Sequence, residues 1–201
     1  MTSDTRTTSP ISPAGRGPAF SLGALVLGGG ALVLMVFLAI GFLLPSDWEV
    51  SVVREMDAGP GDIFDFLDSP EGWRSWTTWP EGGLVRSGPE RGAGASISWD
   101  DPEVGRGAFD LVRSEASERV EYAVEFGQAM RASGVVFLQT EGSRTLVEWT
   151  EKGDLGWNPL MGYWALFMEK GQTQEMEKSL DRLAALAEGE GEGREEAAQR
   201  S

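Results

Sequence analysis

Two carboxylates stand where strand-like sequence would let them do acid–base chemistry. Asp110 lies between Phe109 and Leu111, and Glu148 lies between Val147 and Trp149. A carboxyl drawn among apolar neighbours keeps its proton to higher pH and becomes a usable acid or base near neutrality. Strand parity decides the matter: one parity turns each inward, the other leaves both on a wet face. Asp154, in Gly153-Asp154, reads as a turn former. The chain has no histidine and no cysteine. Ser-His-Asp and Cys-His nucleophiles, imidazole and thiolate metal sites, and disulfides are therefore excluded. No acidic run has the spacing of an EF-hand loop and no glycine loop that of a phosphate cradle, so neither metal nor cofactor is expected.

Aromatic rings are the other chemical resource, with eight Trp and nine Phe against two Tyr. Trp73, Trp76 and Trp79 recur at steps of three, which on a helical or 3₁₀ turn would set the rings side by side. They read either as a core plug under a loop or as the wall of a pocket mouth. A cavity-facing set follows from the patterning: Trp76 and Trp79 in this element, then Trp99, Tyr122, Phe126, Phe137 and Trp149 in strand-like stretches. Tyr163, Trp164 and Met168 join them from a helical stretch. The same stripes also fit plain core. Met168 and Met176 could adapt to different ligand shapes, because methionine packs loosely.

These residues need elements to hold them. Phe20–Leu44 carries no charge and, as a helix of roughly 37 Å at about 1.5 Å per residue, exceeds a ~30 Å hydrocarbon core. Residues 20–44 are read as a transmembrane helix rather than a signal peptide, since the run is long and LLPSDW has no small-x-small cleavage pattern. Residues 1–19, rich in Thr, Ser, Pro and Gly, read as a disordered head. Arg6 and Arg16 precede the span and Asp47 and Glu49 follow it, which puts the head in the cytoplasm and the folded part outside. The net charge is −15, nearly all of it after the span. Such a domain repels phosphate backbones, and nucleic acid is not an expected partner.

After Pro45, WEVSVVREMDAG reads as a strand. Pro60 then opens a short helix with Ile63, Phe64 and Leu67 on one face, stopped by Pro70. From Gly82 to Gly153 the chain reads as an antiparallel meander with short polar turns. Its clearest strand alternates Val120, Tyr122, Val124 and Phe126 with Arg119, Glu121, Ala123 and Glu125. Asn158-Pro159 caps a long helix whose stripe is Met176, Leu180, Leu183 and Ala187. Gly171 is its weak point unless a close contact needs it. The acidic residues 188–201 read as a disordered tail.

The order strand, short helix, meander, long helix is the helix-grip order, and the wording of the chain is similar. WEVSVVREMDAGPGDIFDFLDSPEGWRSWTTW (48–79), GAGASISWDD (92–101), TLVEWTEKGD (145–154) and NPLMGYWALFM (158–168) resemble the SRPBCC superfamily. The likeness is to its START, Bet v 1 and polyketide cyclase/dehydrase-like members, many of which begin with one membrane span. It covers residues 46–187. One departure is Ala58-Gly59-Pro60, where the family usually has Ala-Pro-Pro. The resemblance implies an α+β helix-grip fold, a curved antiparallel sheet of six to seven strands around a long C-terminal helix, with an apolar cavity between them. It also implies a hydrophobic small molecule or lipid as partner.

Three functions follow. The first is a membrane-anchored domain binding such a ligand, which the reading favours over catalysis. The second is a polyketide cyclase or hydrolase using an inward carboxylate, Asp110 or Glu148. The third is a structural or partner-binding envelope protein without ligand.

Overall fold

The computed structural model of the chain describes residues 22–127, 130–156 and 158–199. The expected disordered head and the first two residues of the expected span lie outside these. The chain divides into two compact units, Met1–Phe37 and Leu38–Ser201. The described part of the first is helical, belonging to α1 (Leu22–Leu43), an apolar helix most of whose described side chains are exposed. Its segment Leu25–Leu43 is long and apolar enough to cross a membrane.

The second unit contains β1 (Asp47–Met56), α2 (Pro60–Leu67), α3 (Pro70–Trp76), β2 (Val85–Ser87), β3 (Ser96–Asp101), β4 (Gly105–Glu115), β5 (Arg119–Phe126), β6 (Met130–Glu141), β7 (Arg144–Asp154) and α4 (Pro159–Gln199). Seven antiparallel strands form one sheet in the order β1-β7-β6-β5-β4-β3-β2. Short turns make neighbours of consecutive strands, and the first strand completes the sheet by pairing with the last, Val52 opposite Trp149. This is the expected α+β helix-grip fold.

One face of the sheet is wet and the other carries the core. The expected stripe of α4 is the buried one: Met176, Leu180, Leu183 and Ala187 are each 2% exposed or less. Pro159 occupies the first position of α4, and the Asn158 Oδ1 accepts from the Leu160 amide at 3.0 Å. Where the sequence reading placed a disordered tail after Ala187, the backbone of α4 continues helical through Gln199. The segment carries five Glu and two Ala, good helix formers, against three Gly, and extending an existing helix gains a hydrogen bond per residue without a new nucleus.

The tryptophan triplet divides. Trp73 and Trp76 lie on α3 and are 2% and 0% exposed. Their indole N–H groups donate to Leu67 O at 2.7 Å and Phe66 O at 3.3 Å, satisfying carbonyls left open at the end of α2. The helix stops at Thr77, which is extended at φ −103° and ψ 167°, so Trp79 leaves the turn and meets Trp99 and Phe109 instead.

Candidate functional site

The site is built from rows of residues running across the strands on the inner face. One row reads Leu111, Tyr122, Gly134, Glu151 and Val50, across β4, β5, β6, β7 and β1. Gly134 has no side chain to fill its place, and the Tyr122 ring lies over it. A Cβ there would fall 2.3 Å from the ring carbon bearing the hydroxyl. Strands are about 4.8 Å apart, and a tyrosine laid across the bare glycine brings its hydroxyl to the next strand but one. There the Tyr122 hydroxyl donates to the Glu151 carboxylate. The Trp149 indole N–H donates to the same Tyr122 oxygen at 2.8 Å.

A second row repeats the device. Trp99 on β3, Gly107 on β4 and Phe126 on β5 stand in register, and the Trp99 indole lies over Gly107. Trp99 meets Phe126 edge-on at 5.6 Å between centroids. Rings laid across bare glycines line the inner face with flat aromatic surface instead of a plug of upright side chains.

Between this surface and α4 lie two chambers, of about 260 and 280 Å³. The first is walled by Trp79, Trp99, Phe109, Tyr122 and Trp149. The second is walled by Trp48, Met130, Leu155 and Met168. Val124, Phe126, Glu151 and Gln172 line both and form the partition. A wider open groove of about 680 Å³ is lined largely by outward polar side chains such as Glu49, Glu125 and Lys152.

Glu151 is the chemical centre of the partition. It is 7% exposed and accepts hydrogen bonds from Gln172 Nε2 and from Tyr122. Burial raises the pKa of its carboxyl, with the two hydrogen bonds working against that rise. Burial, then the Glu151 charge, pushes the Tyr122 phenol well above its ordinary pKa, and Tyr122 stays a donor. Among the described residues, no ion pair involves Glu151. Glu175, also lining the first chamber, differs: its carboxylate accepts from Thr78 at 2.9 Å and pairs with Arg182 at 3.1 Å. The Trp99 Nε1 is buried with no hydrogen-bond partner.

Of the ten residues expected to face a cavity, Trp79, Trp99, Tyr122, Phe126 and Trp149 line the first chamber. Met168 lines the second. Trp76 is core, packed on Trp73 and Trp149. Phe137 is a correction: Val136 and Leu138 take the inner face, so parity puts Phe137 outside, 41% exposed beneath the Arg119 guanidinium. Trp164 is 57% exposed on α4, and Tyr163 is half-buried beside it. Both carboxylates weighed for catalysis lie on the outer face. Asp110 stands opposite Ser96 and Ala123, and Glu148 opposite Val53 and Phe137. Phe109, Leu111, Val147 and Trp149 are the inward members of those strands, which fixes the parity of both acids.

Glu151 and Gln172 escaped the sequence reading. A signal for the first was present: Thr145, Val147 and Trp149 alternate inward, and two further residues along the same parity stands Glu151. For Gln172 no sequence signal existed, because its place depends on how α4 docks.

A family model described as polyketide cyclase / dehydrase and lipid transport matches residues 47–188. No curated protein matches in sequence. Solved structures share the fold. A point mutant of norcoclaurine synthase from Thalictrum flavum, in complex with a transition-state analogue, is 10% identical, covering 72% of this chain and 96% of that one with a TM-score of 0.57. The hypothetical protein jhp0584 of Helicobacter pylori is 8% identical, covering 90% and 99%, with a TM-score of 0.56. The protein TTHA0849 of Thermus thermophilus is 19% identical, covering 70% and 97%, with a TM-score of 0.54. At these identities the likeness is one of fold.

Proposed function

The chain belongs to the polyketide cyclase / dehydrase and lipid transport family, and on that premise we propose that its helix-grip domain takes up a hydrophobic small molecule or lipid between α4 and the sheet. The observation that carries this reading is the aromatic-walled pair of chambers with one buried carboxylate at their partition. Ligand sites have this character, mostly apolar walls with a few placed polar groups. Each chamber alone is just under the ~300 Å³ at which small-molecule pockets begin, and a single chamber of that size would favour a structural role without ligand. The shared lining argues against it: Val124, Phe126, Glu151 and Gln172 border both volumes, so the two lie side by side with a combined volume within the range of small-molecule sites.

In this reading α1 tethers the domain to a membrane. The arginines at positions 6 and 16 favour a cytoplasmic head, with the domain on the other side. Mass spectrometry of lipid extracts from the full chain, purified from its own membranes, tests the reading. A stoichiometric small molecule or lipid is expected. Protein that carries none, and whose Trp99→Phe and Gln172→Leu variants are unchanged in stability by added membrane extract, would overturn it. Protease digestion of the C-terminal tail in intact cells tests the orientation.

A second reading, a cyclase- or hydrolase-like proton transfer, is favoured by Glu151 itself, an inward carboxyl with a raised pKa. Turnover of an identified ligand that survives Glu151→Gln would remove it.

A further inference from the structure

We propose that the ligand carries a cationic nitrogen, a protonated amine or a quaternary ammonium, seated beside Glu151 against the aromatic wall of the first chamber. The inference rests on the reading of that chamber as a ligand site and names the chemistry of its occupant.

Three observations converge. The residues lining the first chamber include two carboxylates, Glu151 and Glu175, and no lysine or arginine. A fatty acid carboxylate or a phosphate headgroup would meet the Glu151 carboxylate there, while the nearby Arg182 guanidinium is already taken up by Glu175. Of the two acids, Glu175 already has the Arg182 guanidinium, whereas Glu151 has only the neutral donors Gln172 and Tyr122. A buried ionised carboxylate is costly without a paired cation, and a ligand cation would supply the missing charge. Arg131 borders the second chamber together with Glu151, but its side chain is 77% exposed and paired with Glu125 at 3.2 Å.

The walls supply the second part. Trp79, Trp99 and Trp149 present ring surface to the chamber, and Trp79 and Trp99 meet edge-to-face at 5.9 Å. Indole faces are the best of the aromatic surfaces for a cation, which is attracted within about 6 Å of the ring centroid. A quaternary ammonium has no N–H to satisfy, which suits a wall with few acceptors. The methionine-lined second chamber is apolar and fits a hydrocarbon portion of the same molecule. The charge of the whole chain, −15, draws cations toward it.

The test uses the full chain in non-ionic maltoside micelles and three soluble probes: phenethyltrimethylammonium, its neutral isostere 3,3-dimethylbutylbenzene, and the anion 3-phenylpropionate. Binding is followed by tryptophan fluorescence. The cation is expected to bind at least about tenfold more tightly than the isostere, and the anion more weakly than both. Glu151→Gln should remove that preference, bringing the cation and the isostere to within about twofold of each other. Trp79→Leu, at a half-buried ring outside the central core, should cut the preference several-fold and serves if Glu151→Gln does not fold. A cation that binds no better than its isostere, or a preference untouched by both variants, overturns the proposal while the chamber remains a ligand site. If no probe changes the fluorescence, the ligand reading of the chamber falls as well.

Discussion

At the scale of single residues, a glycine decides where the polar group of this site stands. The Tyr122 ring occupies the space above Gly134, and its hydroxyl is 2.4 Å from where a Cβ would be. Any side chain at position 134 must expel the ring, and with it the chain of hydrogen bonds from Trp149 through Tyr122 to Glu151. Gly134→Ala is expected to cost about 1–3 kcal/mol, the usual range for overpacking a filled interior. Urea unfolding measures it, and a loss below about 0.5 kcal/mol would mean that the ring moves aside freely. The consequence for reading the sequence is specific. Tyr122 could be placed on the inner face from alternation alone, but its reach to Glu151 needed Gly134 as its cross-strand partner, which is a matter of register.

At the scale of elements, α4 closes the site and contains its own weak point. Gly171 immediately precedes Gln172, one side of the partition, and a Cβ at Gly171 would meet nothing within 4 Å. No close packing requires the glycine. Gly171→Ala is therefore expected to stabilise the domain by about 0.5–1 kcal/mol, from helix propensity and the lost freedom of the unfolded chain. A thermal melt reads the change, and a fall in midpoint would show that α4 needs to bend there. The other elements follow from local rules. Prolines 60, 70 and 159 start helices, short polar turns join the strands, and a four-residue stripe docks α4.

At the scale of the whole molecule, stability should carry the signature of the buried acid. Because burial raises the Glu151 pKa, the folded chain holds that proton more tightly than the unfolded one. As pH rises from about 4, the ordinary carboxyl range, toward the raised value, the unfolded chain releases its proton first, and this group's contribution to stability falls. Glu175, held below its ordinary value by Arg182 and Thr78 against its own burial, acts in the opposite sense: its contribution is present above the ordinary carboxyl range and lost as pH falls. Glu151→Gln removes the first effect alone. Its melting temperature relative to the parent should therefore rise with pH from acid to neutral and then level off. A difference that stays flat across that range would mean that Glu151 is solvated.

The family resemblance implied the helix-grip architecture. The chain by itself determined the apolar segment, the order of strands and helices and the face of α4 that docks. Each of these rests on a period of two or 3.6 residues or on a local start and stop signal, and such signals are printed along the sequence. Alternation also assigns Trp99, Tyr122, Phe126 and Trp149 to one face of their strands, and all four border the first chamber. Only the tertiary structure decided which inward ring borders empty space and which is packed solid, as Trp79 and Trp76 illustrate. It alone brought Glu151, Tyr122 and Gln172 together from β7, β5 and α4. The reason is that parity needs only one strand, whereas a cavity and a buried charge need the register of several strands and the position of the helix laid across them.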